Sequence, residues 1–228
     1  MISLPFQLNY DSGYGSEDGS RTVMNLQPVI PMQIGEDWNM VSRTIIPFIS
    51  QNDIAGNSGT QSGLGDVVQS LFFTPREVGS NGLIWGAGPV FMLPTASDDK
   101  LGSGKFGLGP TAVVLRQKNG WTVGMLANHI WSVAGDDDRA DVSATFLQPF
   151  LNYTTKNSWT FALNTESTYD WKAEEWSVPI NMMAGKLVYF DEQPVNFQLG
   201  ARYWADAPEN GPDDWGVRAV VTFLYPKK

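Results

Sequence analysis

The chain has 228 residues, no cysteine and one histidine, and its formal net charge is −9. The missing cysteines exclude disulfides and thiolate catalysis, a single histidine disfavours a histidine-based zinc site, and the scattered basic residues argue against a nucleic-acid partner. With 42% hydrophobic and 17% charged residues, 23 glycines and 14 prolines, the composition predicts a folded chain of many short strands with few helices.

Alternation of apolar and polar residues recurs from end to end and predicts twelve strands. Their approximate ranges are 2–10, 21–33, 38–49, 64–74, 83–94, 105–117, 121–133, 142–154, 159–169, 176–188, 195–205 and 215–225. These lengths suit tilted strands that cross a bilayer. We therefore expect residues 1–228 to form a single domain, a closed antiparallel transmembrane β-barrel.

The connections between these strands alternate in length. Long ones are predicted at 11–20, 50–61, 95–104, 134–141, 170–175 and 206–214, and shorter ones at 35–37, 75–82, 118–120, 156–158 and 191–194. The long connections contain most of the acidic residues. This pattern is typical of outer-membrane barrels, which have short periplasmic turns and longer extracellular loops. Simple loop polarity is the alternative explanation of the charge pattern.

Tryptophans lie near predicted strand ends, where they would form two interface girdles. On the short-turn side we place Trp38, Trp85, Trp121 and Trp159, and on the long-loop side Trp131, Trp171, Trp176, Trp204 and Trp215.

The polar faces of the strands contain Asn, Gln, Thr, Gly and single charges rather than the Lys and Glu of water-facing strands. We therefore predict that the polar face lines a lumen and the apolar face meets lipid. A soluble barrel that binds a hydrophobic ligand in an apolar interior is the alternative, since alternation alone does not fix the orientation. The candidates for tuning permeation are Arg43, Asp66, Glu166, Arg202 and Arg218. An internal salt-bridge network that stiffens the barrel is the competing interpretation.

His129 raises the question of catalysis, because some outer-membrane barrels are hydrolases. Its neighbours Asn128 and Ser132 point to the opposite face of the strand, so neither is placed to act with it. We expect a girdle or packing histidine, no enzyme activity, no cofactor and no metal. The stretch "AGDDDRAD" (134–141) offers oxygen ligands for calcium without the spacing of a known loop, and bridging to lipopolysaccharide through divalent cations is a further hypothesis.

The phrases "ANHIWSVAGDDDRADVSATFLQPFLNYTT", "LNTESTYDW", "GPVFMLPTA" and "RYWADAPENGPDDWG" resemble the outer-membrane protein family named for the MetA pathway of phenol degradation. The resemblance runs nearly from end to end. It implies a transporter-like barrel of the Gram-negative outer membrane, concerned with small hydrophobic or aromatic compounds, and it supplies no catalytic residues. Met1 is followed at once by a strand-like segment, so we expect no signal peptide in this chain. The final "TFLYPKK" departs from the aromatic end that many outer-membrane barrels have.

Overall fold

The computed structural model describes residues 1–79, 82–213 and 215–226. It contains fifteen strand segments and one short 3-10 helix, Gly15–Glu17. The strands are β1 (Ile2–Tyr14), β2 (Gly19–Leu26), β3 (Val29–Ile34), β4 (Trp38–Asn52), β5 (Thr60–Leu64), β6 (Val67–Pro75), β7 (Leu83–Leu93), β8 (Lys105–Lys118), β9 (Trp121–Gly135), β10 (Ser143–Thr154), β11 (Trp159–Thr165), β12 (Ser167–Asp170), β13 (Glu175–Phe190), β14 (Gln193–Asp206) and β15 (Trp215–Tyr225).

These segments form one closed antiparallel sheet of twelve spanning strands. Three of the spanning strands are interrupted: β2 and β3 both pair with β4, β5 and β6 also both pair with β4, and β11 and β12 both pair with β10 and β13. The first strand pairs with the last over a long register that begins at Ile2 opposite Tyr225. Closure removes the free sheet edges that would be left unpaired in lipid. The predicted barrel and its strand count are confirmed.

The interruptions occur where a strand cannot form regular backbone hydrogen bonds with both of its neighbouring strands. Pro28 has no N–H to donate, and its carbonyl instead accepts a hydrogen bond from the Thr44 amide at 3.1 Å. At Glu166 both neighbouring strands have a proline close by, Pro149 and Pro179, and the Glu166 amide reaches the Pro179 carbonyl at 3.3 Å. The interrupted strands were predicted as continuous, because alternation persists across each break.

The ends of the barrel differ as expected. Residues 53–59, 94–104 and 136–142 connect strands at one end, while 35–37, 119–120 and 191–192 make tight turns at the other. The predicted loop at 11–20 is shorter, because β1 continues to Tyr14 and β2 begins at Gly19. The predicted connections at 75–82 and 206–214 each include residues outside the described ones (80, 81 and 214), as does the predicted chain end at 227–228.

Side-chain exposure separates the two faces of the sheet. Leu199 is 64% exposed and Phe161 51%, whereas Arg218 is 1% and Asn181 0% exposed. Apolar side chains therefore cover the outside and polar ones lie inside. This arrangement contradicts the alternative of a soluble barrel, in which the apolar face would turn inward. Among the described residues, no helix is long and apolar enough to cross a membrane.

Candidate functional site in the barrel lumen

An ion pair inside the barrel joins two strands that are not neighbours. Arg218, on β15, donates from Nη1 to Glu166 Oε1 at 2.9 Å and from Nη2 to Glu166 Oε2 at 2.6 Å. Its Nε donates to Asn9 Oδ1 at 2.6 Å. Two parallel bonds from guanidinium to carboxylate are the strongest and most geometrically defined form of such a pair. Glu166 projects from the interruption between β11 and β12, where the backbone leaves the ladder.

A second ion pair lies beside the first. Arg202 Nε is 3.3 Å from Asp11 Oδ1, and the same carboxylate oxygen accepts a hydrogen bond from Trp204 Nε1 at 2.8 Å. The Arg202 guanidinium also lies 4.6 Å from the centroid of the Trp204 ring. In the register Arg202 faces Gly216 and Arg218 faces Gly200, so the two arginines are diagonal and each has its own carboxylate.

Arg43 approaches the same region from the far wall. Its Nη2 donates to Gln27 Oε1 at 2.9 Å, and it interacts electrostatically with Glu166. Gln148 on β10 also reaches Glu166 through its amide, at 3.4 Å. We call Asp11, Arg43, Glu166, Arg202 and Arg218 the lumen cluster. Four of the five predicted permeation residues thus lie on the inside of the barrel at one region.

Glycine makes room for this cluster at one position in particular. A Cβ placed on Gly216 would lie 2.4 Å from Asp11 Oδ1 and 2.5 Å from the Tyr10 carbonyl oxygen. Any larger residue there would displace the carboxylate that holds Arg202 and Trp204. The small residue is therefore a condition for the second ion pair.

Asp66 lies apart from the lumen cluster, at the barrel mouth. Its carboxylate accepts hydrogen bonds from Ser103 N at 2.6 Å, Ser103 Oγ at 2.7 Å and Ala96 N at 3.2 Å. All three donors belong to the loop at 94–104. Asp66 anchors that loop at the barrel mouth, because it lies in the gap between β5 and β6 where its side chain meets the loop backbone.

The loop at 94–104 folds inward and is held from a second direction. Leu101 is only 4% exposed, and Gln51, an inward residue of β4, donates to the Lys100 carbonyl at 3.2 Å. Arg139 binds the carbonyl oxygens of Asp99, Gly102 and Ser103. The acidic stretch at 134–141 therefore helps to hold the loop at 94–104 through its single arginine, Arg139.

The acidic residues of that stretch do not gather around a cation. Asp136 Oδ1 accepts from the Asp138 amide at 3.1 Å, and Asp141 lies 3.4 Å from Lys105 Nζ. Within the described ranges no group of three or more carboxylates or imidazoles is placed to hold a metal ion. Hydrogen bonds from Ser132 and then from Lys105 lower the pKa of Asp141 below its ordinary value.

The lumen wall is not polar all round, contrary to expectation. Arg43 pairs with Ser70 and Ser70 pairs with Val90, so Val90 faces inward with Arg43, because paired residues share a face. By the same argument Leu126 is inward, since it pairs with Gln148. Phe72 shares the face of Ser70, two residues along the strand. Val90, Phe72 and Leu126 are 0%, 5% and 7% exposed. Part of the lumen wall is thus apolar.

Tryptophan side chains occupy the outer ends of the strands, with one exception. Trp38 and Trp85 form an edge contact at 6.1 Å, and Trp121 lies 4.7 Å from Tyr153 at the same turn end. Lys186 lies over Trp159. At the loop end, Trp131, Trp171, Trp176 and Trp215 lie among other aromatic rings. That these rings sit at membrane interfaces remains a prediction.

Trp204 is the exception, and its assignment to the girdle is wrong. It shares the inward face of β14 with Arg202, two residues away, and its indole N–H binds Asp11 inside the barrel. Proximity to a strand end suggested the interface. Alternation along β14 was the better guide.

His129 lies on the outer face, within the aromatic cluster at the loop end. Its ring is 4.1 Å from that of Trp131, and Nδ1 is 2.7 Å from Thr145 Oγ1. The same hydroxyl accepts from Trp171 Nε1 at 2.8 Å. Nε2 is buried and has no hydrogen-bond partner. The Thr145 hydroxyl is thus shared between the imidazole and the Trp171 indole, and no group binds Nε2 of His129. The arrangement therefore lacks the third member of a catalytic triad.

Sequence reasoning missed several residues of the site. Asn9 falls in the first predicted strand, Asp11 begins the predicted connection at 11–20 and Arg21 begins the second predicted strand, but none was singled out. Asp11 pairs with Arg21, and Asn9 with Val23, in the register of β1 and β2. Their alternation with outward residues could have placed them inside. Their contacts to β14 and β15 follow from closure of the barrel, which one strand's sequence does not show.

Comparison with known proteins gives matches at the level of structure alone. No protein-family model matches the chain, and no curated protein sequence matches it. A crystal structure of the COG4313 outer membrane channel from Pseudomonas putida F1 is 19% identical, with a TM-score of 0.73 over 98% of this chain and 94% of that one. The NanC porin is 9% identical with a TM-score of 0.60, over 98% of this chain and 100% of that chain. The KdgM porin is 9% identical with a TM-score of 0.53, over 98% and 99%. These likenesses show that the chain has the fold of outer-membrane β-barrels.

Proposed function

We propose that this protein is a channel or transporter of the Gram-negative outer membrane, through which small solutes pass along the barrel lumen. A closed barrel with an apolar exterior is stable in lipid, and its lipid partner is the bilayer itself. Three solved structures with this fold are named as a channel or as porins. Membership in the family named for the MetA pathway remains a prediction from the resemblance of the quoted phrases.

The observation that carries the proposal is the buried ion pair inside the barrel. Arg218 and Glu166 come from strands separated by two others, so a solute that moves along the barrel must pass or part their side chains. Arg218 is 1% exposed, and Arg43 on β4 interacts with Glu166 from another part of the wall. The lumen cluster is therefore our candidate for the constriction. Stiffening of the barrel and control of permeation are two consequences of the same contacts.

The expected class of hydrophobic or aromatic solutes must be reconciled with these charges. A purely apolar compound would meet arginines on one wall, where it offers nothing to replace their hydrogen bonds. The apolar wall around Val90, Phe72 and Leu126 favours a solute with an apolar part and a polar or charged part. We propose this amphipathic class in place of pure hydrocarbons.

Contact with lipopolysaccharide through the acidic loops is a separate hypothesis. Because the described residues offer no three-ligand cation group, a divalent cation bound there would need further oxygen ligands, which the phosphates of lipopolysaccharide can supply.

Single-channel recording in planar bilayers tests the proposed function. Arg218→Gln removes one lumen charge, and Arg116→Gln removes an exposed charge of β8 as the matched control. We expect the first variant to change conductance and ion selectivity, and the second to resemble the parent. Loss of thermal stability in Arg218→Gln without any change in current would assign the cluster a structural role only.

A further inference from the structure

The lumen contains more buried positive than negative charge. In the register Arg21 pairs with Asp11, which is also the partner of Arg202. Likewise Glu166 serves both Arg218 and, over a longer distance, Arg43. Among the described residues of the lumen, four arginines thus accompany two carboxylates, and Glu166 interacts with three of the arginines. Charge buried without a full complement is unfavourable, because desolvation is not repaid by an opposite charge.

Two arginine N–H donors inside the barrel make no hydrogen bond. The Nε atoms of Arg21 and Arg202 are both buried and make no hydrogen bond, although Arg202 lies within ion-pair distance of Asp11. Arg202 is only 8% exposed, and Arg21 also interacts with the hydroxyl group of Tyr14. The planar donor edge of a guanidinium matches a carboxylate or a phosphate.

The apolar part of the lumen wall distinguishes between those anions. Phe72, Val90 and Leu126 present buried apolar side chains to the lumen. A phosphate or chloride ion gains nothing from such a surface. A carboxylate attached to a ring or short chain would bury that apolar part there and gain about 25 cal/mol for each Å² removed from water.

We propose that Arg21 and Arg202 form a binding site for the carboxylate of a small amphipathic acid, whose apolar part lies toward the wall of Phe72, Val90 and Leu126. The site deepens the proposed function, on which it rests, by naming the solute class. The carboxylate supplies a negative charge to two guanidiniums whose Nε atoms are buried without a hydrogen-bond partner. Arg218 and Arg43 continue the positive path toward the turn end.

Sodium benzoate is the probe, with benzyl alcohol as its neutral analogue and sodium phosphate as an anion without an apolar part. Two readouts are taken on the folded protein: interruption of the chloride current in planar bilayers, and the midpoint of heat unfolding in detergent. In the parent, benzoate alone should interrupt the current and raise the midpoint. Arg21→Gln and Arg202→Gln should each weaken both effects by about tenfold, the value of one charge-assisted hydrogen bond. Arg116→Gln should leave them unchanged.

The outcomes separate the two proposals. If the parent conducts but benzoate acts no better than benzyl alcohol, or acts equally on Arg21→Gln and the parent, the carboxylate site is wrong and the channel stands. If phosphate matches benzoate, the apolar part of the proposal is wrong. If benzoate raises the unfolding midpoint and no current is found, the site stands and the channel function is wrong. Should Arg202→Gln fail to fold, Arg21→Gln, whose side chain is less buried, decides the question.

Discussion

Replacing Glu166 by Gln removes the negative charge that holds Arg218 while keeping the shape of the side chain. Arg218 is 1% exposed and would retain only the Asn9 oxygen and a neutral amide as partners. Breaking a buried pair by removing one partner costs about 3–5 kcal/mol. Since Glu166 itself is 20% exposed and the amide oxygen still accepts one hydrogen bond, we expect about 3 kcal/mol.

Heat unfolding in detergent, followed by gel migration of unboiled samples, measures this loss. For a chain of this size about 1 kcal/mol lowers the midpoint by about 2–4 °C, so Glu166→Gln should lower it by about 6–12 °C. Glu192→Gln, in the exposed turn at 191–192, is the matched control and should leave the midpoint unchanged. The double variant Glu166→Gln, Arg218→Met should recover much of the loss, because the unpaired charge is gone. An unchanged midpoint in the single variant would refute the argument that the pair is buried and needed.

Three further predictions concern the mouth and the second ion pair. Arg139→Gln should release the loop at 94–104 and speed hydrogen exchange of its amides, while the control Arg76→Gln, at the turn end, should not. Equal exchange in both variants would contradict the idea that Arg139 holds this loop. Gly216→Ala should displace Asp11 and lower the unfolding midpoint. In the control Gly56→Ala, the added Cβ meets no atom within 4 Å, so only local backbone strain is expected. A larger drop of the midpoint in Gly56→Ala than in Gly216→Ala would contradict the argument. The pKa of Asp141 is lowered, so its contacts with Ser132 and Lys105 are present above its ordinary value and are lost as the pH falls through the lowered one. The protection of amides 136–142 against hydrogen exchange, relative to their intrinsic rates, should therefore persist at mildly acidic pH and fall below it, and an early loss of protection would contradict the contact.

The strands were predictable because a barrel wall between lipid and lumen imposes the same alternation on every strand. The interruption at Glu166 was not, since it depends on Pro149 and Pro179 from two neighbouring strands. The inward placement of Arg43, Arg202 and Arg218 followed from parity along each strand. Their pairing with Asp11 and Glu166 depends on barrel diameter and register, which no single segment encodes.

One assignment was wrong. Trp204 was placed in the girdle from its position near a strand end, but its side chain follows the alternation of β14 into the barrel. The apolar wall was missed for a different reason: the sequence was read for its outward apolar face, so inward residues such as Leu126 and Phe72 were not separated from it.

The most direct test of the central claim uses the absence of cysteine in this chain. Gln198→Cys places a thiol on the inward face of β14, and Leu199→Cys places one on the outward face, where the side chain is 64% exposed. A charged thiol reagent added to single channels in a planar bilayer should reduce the current through Gln198→Cys and leave Leu199→Cys unaffected. No current, or a block of Leu199→Cys alone, would contradict a solute path through the lumen.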